Sequence, residues 1–238
     1  MRMRKKPNLD RRLARCADML AAEPEAWKGR WRTRQPEARE LHLEIGCGKG
    51  RFTVETARLH PENLYIAIER VPDAMIIAME RAQEQGVKNV CFIDADAARL
   101  RDYFAPGEVD RIYLNFSDPW PSHRHSKRRL THTDFLMRYR QVLRPGGEIH
   151  FKTDNSDLYE WSLFQFPKAG FALSEVTRDL HRDGVQGVMT DYEEKFFQQG
   201  KPINRCVAAM GALPAEMEEW IDPLDKPRTA RPAVSEEE

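Results

Sequence analysis

Leu41-His42-Leu43-Glu44-Ile45-Gly46-Cys47-Gly48-Lys49-Gly50 is the stretch on which the fold turns. Five strand-forming positions end at Gly46, glycines alternate at 46, 48 and 50, and a helical pattern opens at Arg51. A strand that turns through glycines directly into a helix starts a β-α-β unit, and the residues downstream continue that rhythm. Leu64 to Ile68, Val90 to Ile93, Arg111 to Leu114 and Glu148 to Lys152 read as further strands. Arg51 to His60, Asp73 to Gln85, Thr133 to Leu143 and Asp157 to Phe166 read as helices, the second closed by Gly86 and the third by Pro145-Gly146-Gly147. Strands alternating with helices of this length predict an α/β domain with a doubly wound, mostly parallel sheet, and ligands at the carboxyl ends of its strands. Beyond Pro167 the rhythm changes. Phe171 to Val176 and Ile203 to Met210 read as two more strands around a long loop and a helix, Asp191 to Gln199.

The 238 residues suffice for one sizeable core, expected over residues 36–212. Residues 1–35 read as a basic arm, with Arg2, Arg4, Lys5, Lys6, Arg11, Arg12 and Arg15 against the single acid Asp10 in its first sixteen residues, and residues 213–238 as an acidic, disordered tail. Lys and Arg total 38, as do Asp and Glu, so any nucleic acid is held by local patches rather than by overall charge. Cys16, Cys47, Cys91 and Cys206 form no Cys-x-x-Cys pair, which predicts neither a metal site nor a disulfide framework. No apolar run approaches the roughly 18 residues of a membrane span, and the basic start is followed by no apolar core of a secretion signal. A reducing cytoplasm is the expected location.

The glycine turn gains meaning from the acids around it. Glu69 ends the second strand about 25 residues downstream, where a carboxylate takes both hydroxyls of a ribose. Asp94 and Asp96 follow the third strand, where an acid accepts from an exocyclic amine. A dinucleotide would want the third glycine one residue later and no anion beside its pyrophosphate. Here Glu44 stands just before the turn, which suits a cationic amino-acid moiety and favours S-adenosylmethionine.

After the fourth strand, Asn115-Phe116-Ser117-Asp118-Pro119-Trp120-Pro121 joins a carboxylate to an aromatic ring in a rigid turn. No acid occurs from Pro119 to Thr133, while Arg124, Lys127, Arg128 and Arg129 crowd there with His123, His125 and His132. That pairing predicts chemistry on a planar base beside a grip on phosphates. The histidines have no recognisable metal-ligand spacing, and Cys47 reads as a small residue tolerated in the turn. Thr190-Asp191-Tyr192-Glu193 has the Thr-x-x-Glu pattern of a helix capping box.

LHLEIGCGKGRF, the acids Glu69 and Asp96, YLNFSDPWP, RHSKRRLT, FKTDN and TDYEEKF resemble the bacterial tRNA (guanine-N7-)-methyltransferase family over roughly Leu41 to Met210, and RMRKKP at the start is also similar. The resemblance implies a Rossmann-like class I methyltransferase fold, S-adenosylmethionine as methyl donor and a variable-loop guanine of tRNA as target. It implies cofactor contacts at Glu44, Gly46, Gly48, Glu69, Asp96 and Asp118, with Asp118 also catalytic. It implies substrate contacts at Ser122, Asp154, Thr190, Asp191, Tyr192 and Glu193, and RNA contacts at Arg124, His125, Lys127, Arg128 and Arg129. Members commonly read Pro-Trp-Pro-Lys-Lys-Arg-His, whereas this chain has Ser122 and His123 in place of the lysines, so position 122 keeps a hydrogen bond and loses a charge. A metal, a membrane or a fixed oligomeric state beyond monomer or homodimer is not implied.

Two other functions fit some of these residues. An exocyclic-amine methyltransferase would explain the likeness of Asn115–Trp120 to an Asp-Pro-Pro-aromatic loop, though the second proline is missing. An RNA-binding module on the same fold would explain the cations but not acids at three successive strand ends.

Overall fold

The computed structural model of the protein describes residues 8–225. Every residue of the first strand, β1 (Leu41–Ile45), is buried, as a parallel strand covered on both faces requires. Its companions are β2 (Leu64–Glu69), β3 (Val90–Asp94), β4 (Val109–Asn115), β5 (Leu143–Thr153), β6 (Phe171–Thr177) and β7 (Asn204–Met210). They form one seven-stranded sheet in the order β3-β2-β1-β4-β5-β7-β6. β1 to β5 are parallel, and β7 is inserted antiparallel between β5 and β6. The helices are α1 (Leu9–Arg15), α2 (Arg51–Leu59), α3 (Pro72–Glu84), α4 (Leu100–Tyr103), α5 (Thr133–Val142), α6 (Ser156–Lys168) and α7 (Asp191–Gln198). From β1 the chain winds outward through α2 to β2; from β4 it winds the other way through α5 to β5. A crevice therefore opens between the carboxyl ends of β1 and β4.

The expected strands and long helices are all present, with ends shifted by a few residues. The largest shift is at β5, which begins at Leu143 and carries Pro145-Gly146-Gly147 within it. Its pairing with β4 slips between Val109 and Arg111, so the glycines sit in a bulge rather than in a loop.

The boundaries expected at residues 35 and 212 do not separate packing units. Ala21 N donates to Phe92 O (2.9 Å) and Leu20 bridges Phe92, which covers the outer edge of β3. Arg12 of α1 donates to Glu80 of α3 at 2.7 Å. Trp31 is fully buried, donates its indole N–H to Tyr103 O (2.8 Å) and stacks on Phe104. At the other end Asp222 is buried and takes a two-pronged hydrogen bond from Arg138 (2.8 and 2.9 Å). Arg2 to Lys6 of the expected arm, and the last thirteen residues of the expected tail, lie outside the described residues.

Trp31→Ala is expected to lower the unfolding free energy by about 3–5 kcal/mol, the scale for an aromatic removed from a core. Urea unfolding checks this; a loss below about 0.5 kcal/mol, the scale of a surface change, would mean that the segment merely lies on the domain.

Candidate functional site

The glycine turn is braced to the second strand. Gly46 N and Cys47 N donate to Ile68 O (2.8 and 3.2 Å), and Glu69 accepts from Gly48 N and Val71 N, both at 2.9 Å. Gly46, Gly48 and Gly50 all have positive φ. A Cβ added at Gly46 or Gly48 would meet nothing within 4 Å, whereas one at Gly50 would lie 2.3 Å from Ala78 Cβ. The third glycine therefore serves the packing of α2 on α3, while the first two leave the crevice side of the turn open. Cys47 is buried, and burial pushes its thiol well above the ordinary range, against any nucleophilic role.

The acids occupy different depths. Asp94 stands beside Glu69 in the sheet register and is exposed. Asp96 caps the turn Ala97–Arg99 by accepting from Ala98 N (2.9 Å), and lies 3.5 Å from Arg70. Glu44 is 3% exposed. It accepts from Thr53 Oγ1 and from Asn115 Nδ2, the latter at 2.8 Å, which ties β1 to β4 across the crevice. Burial pushes its carboxyl above the ordinary range; Thr53, Asn115 and the Lys152 ammonium oppose that. Glu44 thus lies below the turn, not on its surface.

Asp118 is exposed and has no hydrogen bond or ion pair among the described residues, so its carboxylate does not cap the Pro-Trp-Pro turn. Phe116 and Trp120, on either side of it, have φ of 53° and 42°. Bulky residues in this left-handed region cost about 1–3 kcal/mol each and persist only where their surroundings hold them. Phe116 N donates to Lys152 O (2.9 Å). Buried and without partners nearby are Asn115 Oδ1 and Ser117 Oγ, two acceptors at the mouth of the same crevice.

The cations that follow form a short 3-10 helix, His123–Arg128. Ser122, Arg124, His125, Lys127 and Arg128 are exposed, and their side chains make no hydrogen bond or ion pair among the described residues; Arg128 lies over the Trp120 ring at 4.9 Å. Arg129 differs from the free cation expected of it. It is half-buried, over the Trp161 ring (4.4 Å), and donates to the carbonyls of Pro119 and Trp120. His132 caps α5 through Nδ1, and burial pushes its imidazole below the usual range.

Directly after β5, Asp154 is half-buried without a partner among the described residues, and Asn155 caps α6. The Thr190–Glu193 capping box is formed, with Thr190 Oγ1 accepting from Glu193 N (2.9 Å) and Glu193 accepting from Thr190 N (3.2 Å). Glu193 is fully buried and receives Lys152 Nζ at 2.6 Å and His181 Nε2 at 2.9 Å. His181 Nδ1 accepts from Gln186 N (3.1 Å), which assigns the hydrogen to Nε2. Burial pushes the Lys152 ammonium down while Glu193 and Glu44 hold it up. Asp191 lies 3.4 Å from Arg81, and Tyr192 is exposed and stacked on Phe196, which touches Phe116.

Sequence reasoning missed Lys152 and His181 as organisers of the site. The one signal was a lysine in a strand otherwise destined for the interior. Among the described residues no group of three or more side chains could hold a metal, and no helix is long and apolar enough to cross a membrane.

A family model described as "Putative methyltransferase" matches residues 38–206. The curated tRNA (guanine-N(7)-)-methyltransferase of Geobacillus kaustophilus (strain HTA426) is 46% identical over 209 residues, covering 87% of this chain and 96% of that protein. The protein of the same name from Bacillus subtilis (strain 168) is 46% identical over 207 residues, covering 87% and 97%. Among solved structures, the 16S rRNA methyltransferase KamB superposes with a TM-score of 0.60 at 16% identity, covering 77% of this chain and 94% of that one. A 16S rRNA (adenine(1408)-N(1))-methyltransferase from Catenulisporales acidiphilia, solved with cosubstrate SAM, gives 0.57 at 14% identity, covering 81% and 93%. At such identities these structures speak for the fold alone.

Lys152→Met should destabilise the protein by about 3–5 kcal/mol, because Glu193 would be left buried without its counter-charge. Adding Glu193→Leu should recover half or more of the loss in urea unfolding. A single variant within about 1 kcal/mol of the parent, the scale of an exposed pair, would contradict the buried pairing.

Proposed function

The chain belongs to the tRNA (guanine-N7-)-methyltransferase family, and on that footing we propose that its crevice transfers methyl from S-adenosylmethionine to N7 of a variable-loop guanine in tRNA. It is an enzyme of tRNA modification, and S-adenosylmethionine is its methyl donor. The observation that carries the catalytic reading is Asp118: an exposed carboxylate with no internal partner among the described residues, between two residues in strained backbone conformations, at the carboxyl end of β4.

The residues at the crevice fit the donor. Gly46 and Gly48 leave room beside the turn for an approaching molecule. Glu69 uses backbone N–H groups for only part of its acceptor capacity, so both oxygens remain able to take ribose hydroxyls. Asp96 is positioned to accept from an exocyclic amine, and the orphaned Asn115 Oδ1 and Ser117 Oγ call for N–H or O–H donors. Glu44 supplies negative charge from below, favourable to an ammonium. When bound, S-adenosylmethionine supplies an electrophilic methyl group on a sulfonium.

Guanine N7 carries a lone pair and no proton, so this chain needs no general base to unmask the nucleophile. Its task is to orient the purine and to stabilise the positive charge the ring acquires. The Asp118 carboxylate does both, accepting from N1–H and the exocyclic amine while its charge favours the cationic ring. Trp120 offers a face for packing against a base. Arg124, His125, Lys127 and Arg128 present unpaired donors to phosphates. Asp154, Thr190, Asp191 and Tyr192 are the proposed substrate contacts beyond the loop, with Glu193 acting from within by fixing α7. Ser122 contributes a hydroxyl. The reducing cytoplasm is consistent with four cysteines, all of them free.

Asp118→Asn keeps the shape and removes the charge. Single-turnover transfer of tritiated methyl to bulk tRNA should fall on the order of 10²-fold or more, the scale of one lost preorganised electrostatic group. A near-parental rate would overturn the catalytic role; absence of transfer by the parent would leave only an RNA-binding module. Glu69→Ala should weaken cofactor binding by about 1–3 kcal/mol in calorimetry on a folded variant, and unchanged affinity would overturn the ribose assignment.

A further inference from the structure

We propose that Arg129 is a positioning residue that holds the Asp118 loop in its reactive shape, and not one of the cations that grip RNA. The inference rests on Asp118 acting in methyl transfer. Arg129 sits at the end of an acid-free run of exposed cations, and by sequence alone it is indistinguishable from its neighbours. Its surroundings are different. Arg129 Nε donates to Pro119 O at 3.0 Å, and Nη2 donates to Trp120 O at 3.1 Å, with Nε also 3.4 Å from Trp120 O. These are the carbonyls of the two residues directly after Asp118.

The other side of the guanidinium is also occupied. Its carbon lies 4.4 Å from the centroid of Trp161, on α6, so the planar group is held between a helix of the domain and the loop. Arg129 N donates to Ser126 O (3.0 Å), which seats the residue at the end of the short 3-10 helix. A fork of donors on two successive carbonyls fixes the direction of the intervening peptide, something a single point charge does not do.

That restraint is needed where it falls. Trp120 has φ of 42°, a conformation that a bulky residue leaves unless held. Phe116, with φ of 53°, is held on the opposite side of Asp118 by the bond from its N–H to Lys152 O. The loop is thus pinned at both ends, by Lys152 before the carboxylate and by Arg129 after it. Asp118 itself has no internal partner among the described residues, so its position is inherited from these two pins. Arg128, one residue earlier, faces outward over the indole of Trp120 and stays available to phosphate.

The test compares Arg129→Ala, Arg129→Lys and Arg128→Ala in the full-length enzyme with S-adenosylmethionine and tRNA. For Arg129→Ala, the single-turnover rate at saturating tRNA should fall on the order of ten- to a hundredfold, as expected for a displaced reacting group. Its tRNA affinity, its cofactor affinity and the slope of log affinity against log salt should stay parental. Arg129→Lys keeps the charge and loses the fork, so it should show a loss in rate of the same kind, and it serves as the second variant should alanine fail to fold. Arg128→Ala should do the reverse, weakening tRNA binding and lowering the salt slope by roughly 0.7–0.9. The proposal is overturned if Arg129→Ala lowers affinity and salt slope while the saturated rate is parental, or if Arg129→Lys is indistinguishable from the parent. No methyl transfer by the parent enzyme would instead refute the function on which the proposal rests.

Discussion

A buried ammonium organises this molecule. Lys152 is the penultimate residue of β5, an interior strand of the sheet, and an unpaired cation there would cost several kcal/mol. Glu193 meets it at 2.6 Å, Val188 O at 3.2 Å, and the ring of Phe52 lies 5.0 Å away. That requirement ties α7, which belongs to the irregular last third of the chain, to the carboxyl end of β5. The same residue's carbonyl receives Phe116 N and so holds the start of the Asp118 loop. One lysine therefore joins the sheet, α7 and the reactive loop. Arg51–Glu194 and Arg81–Asp191, both more exposed, carry the docking of α7 to α2 and α3.

The crevice follows from topology before it follows from any side chain. Between β1 and β4 the connections leave in opposite directions, and the hydrogen bond from Asn115 to Glu44 spans that gap. Above it, the glycine turn, Glu69 and Asp96 form one wall and the Asn115–Pro121 loop the other. Electrostatics divides by depth. Glu44 and Glu193 are buried and bonded, holding the frame, while Asp118 and the cations from Arg124 to Arg128 are exposed and unpaired among the described residues. Buried acids shape the site and exposed ones face the substrate.

Much of this was readable from the chain. Leu41 to Ile45, uniformly apolar apart from His42 and Glu44, announces a strand covered on both faces, and the glycines after it announce the turn. Glu69 and Asp96 stand at strand ends because the alternation of elements puts them there. Other features were not readable, for physical reasons. Lys152 and His181 are buried only because partners distant in sequence neutralise or bond them, and residue type alone argues the opposite. Arg129 and Arg128 are the same amino acid at adjacent positions, yet one turns inward to two carbonyls and the other outward. Residues 16–34 build short 3-10 turns with no helical period, so the burial of Trp31 left no pattern in the sequence. The Thr-x-x-Glu signal at Thr190 was legible as a capping box, but the fully buried Glu193 took its second role from the fold.

Everything proposed for this crevice converges on one reaction, methylation of guanine at N7. The most direct measurement is to incubate unmodified tRNA with the protein and S-adenosylmethionine, then treat it with borohydride and aniline, which cleave the chain at 7-methylguanine. Cofactor-dependent cleavage at one guanine of the variable loop is the expected result. Methyl label incorporated into tRNA that survives the treatment uncut would place the methyl group on another atom and contradict it.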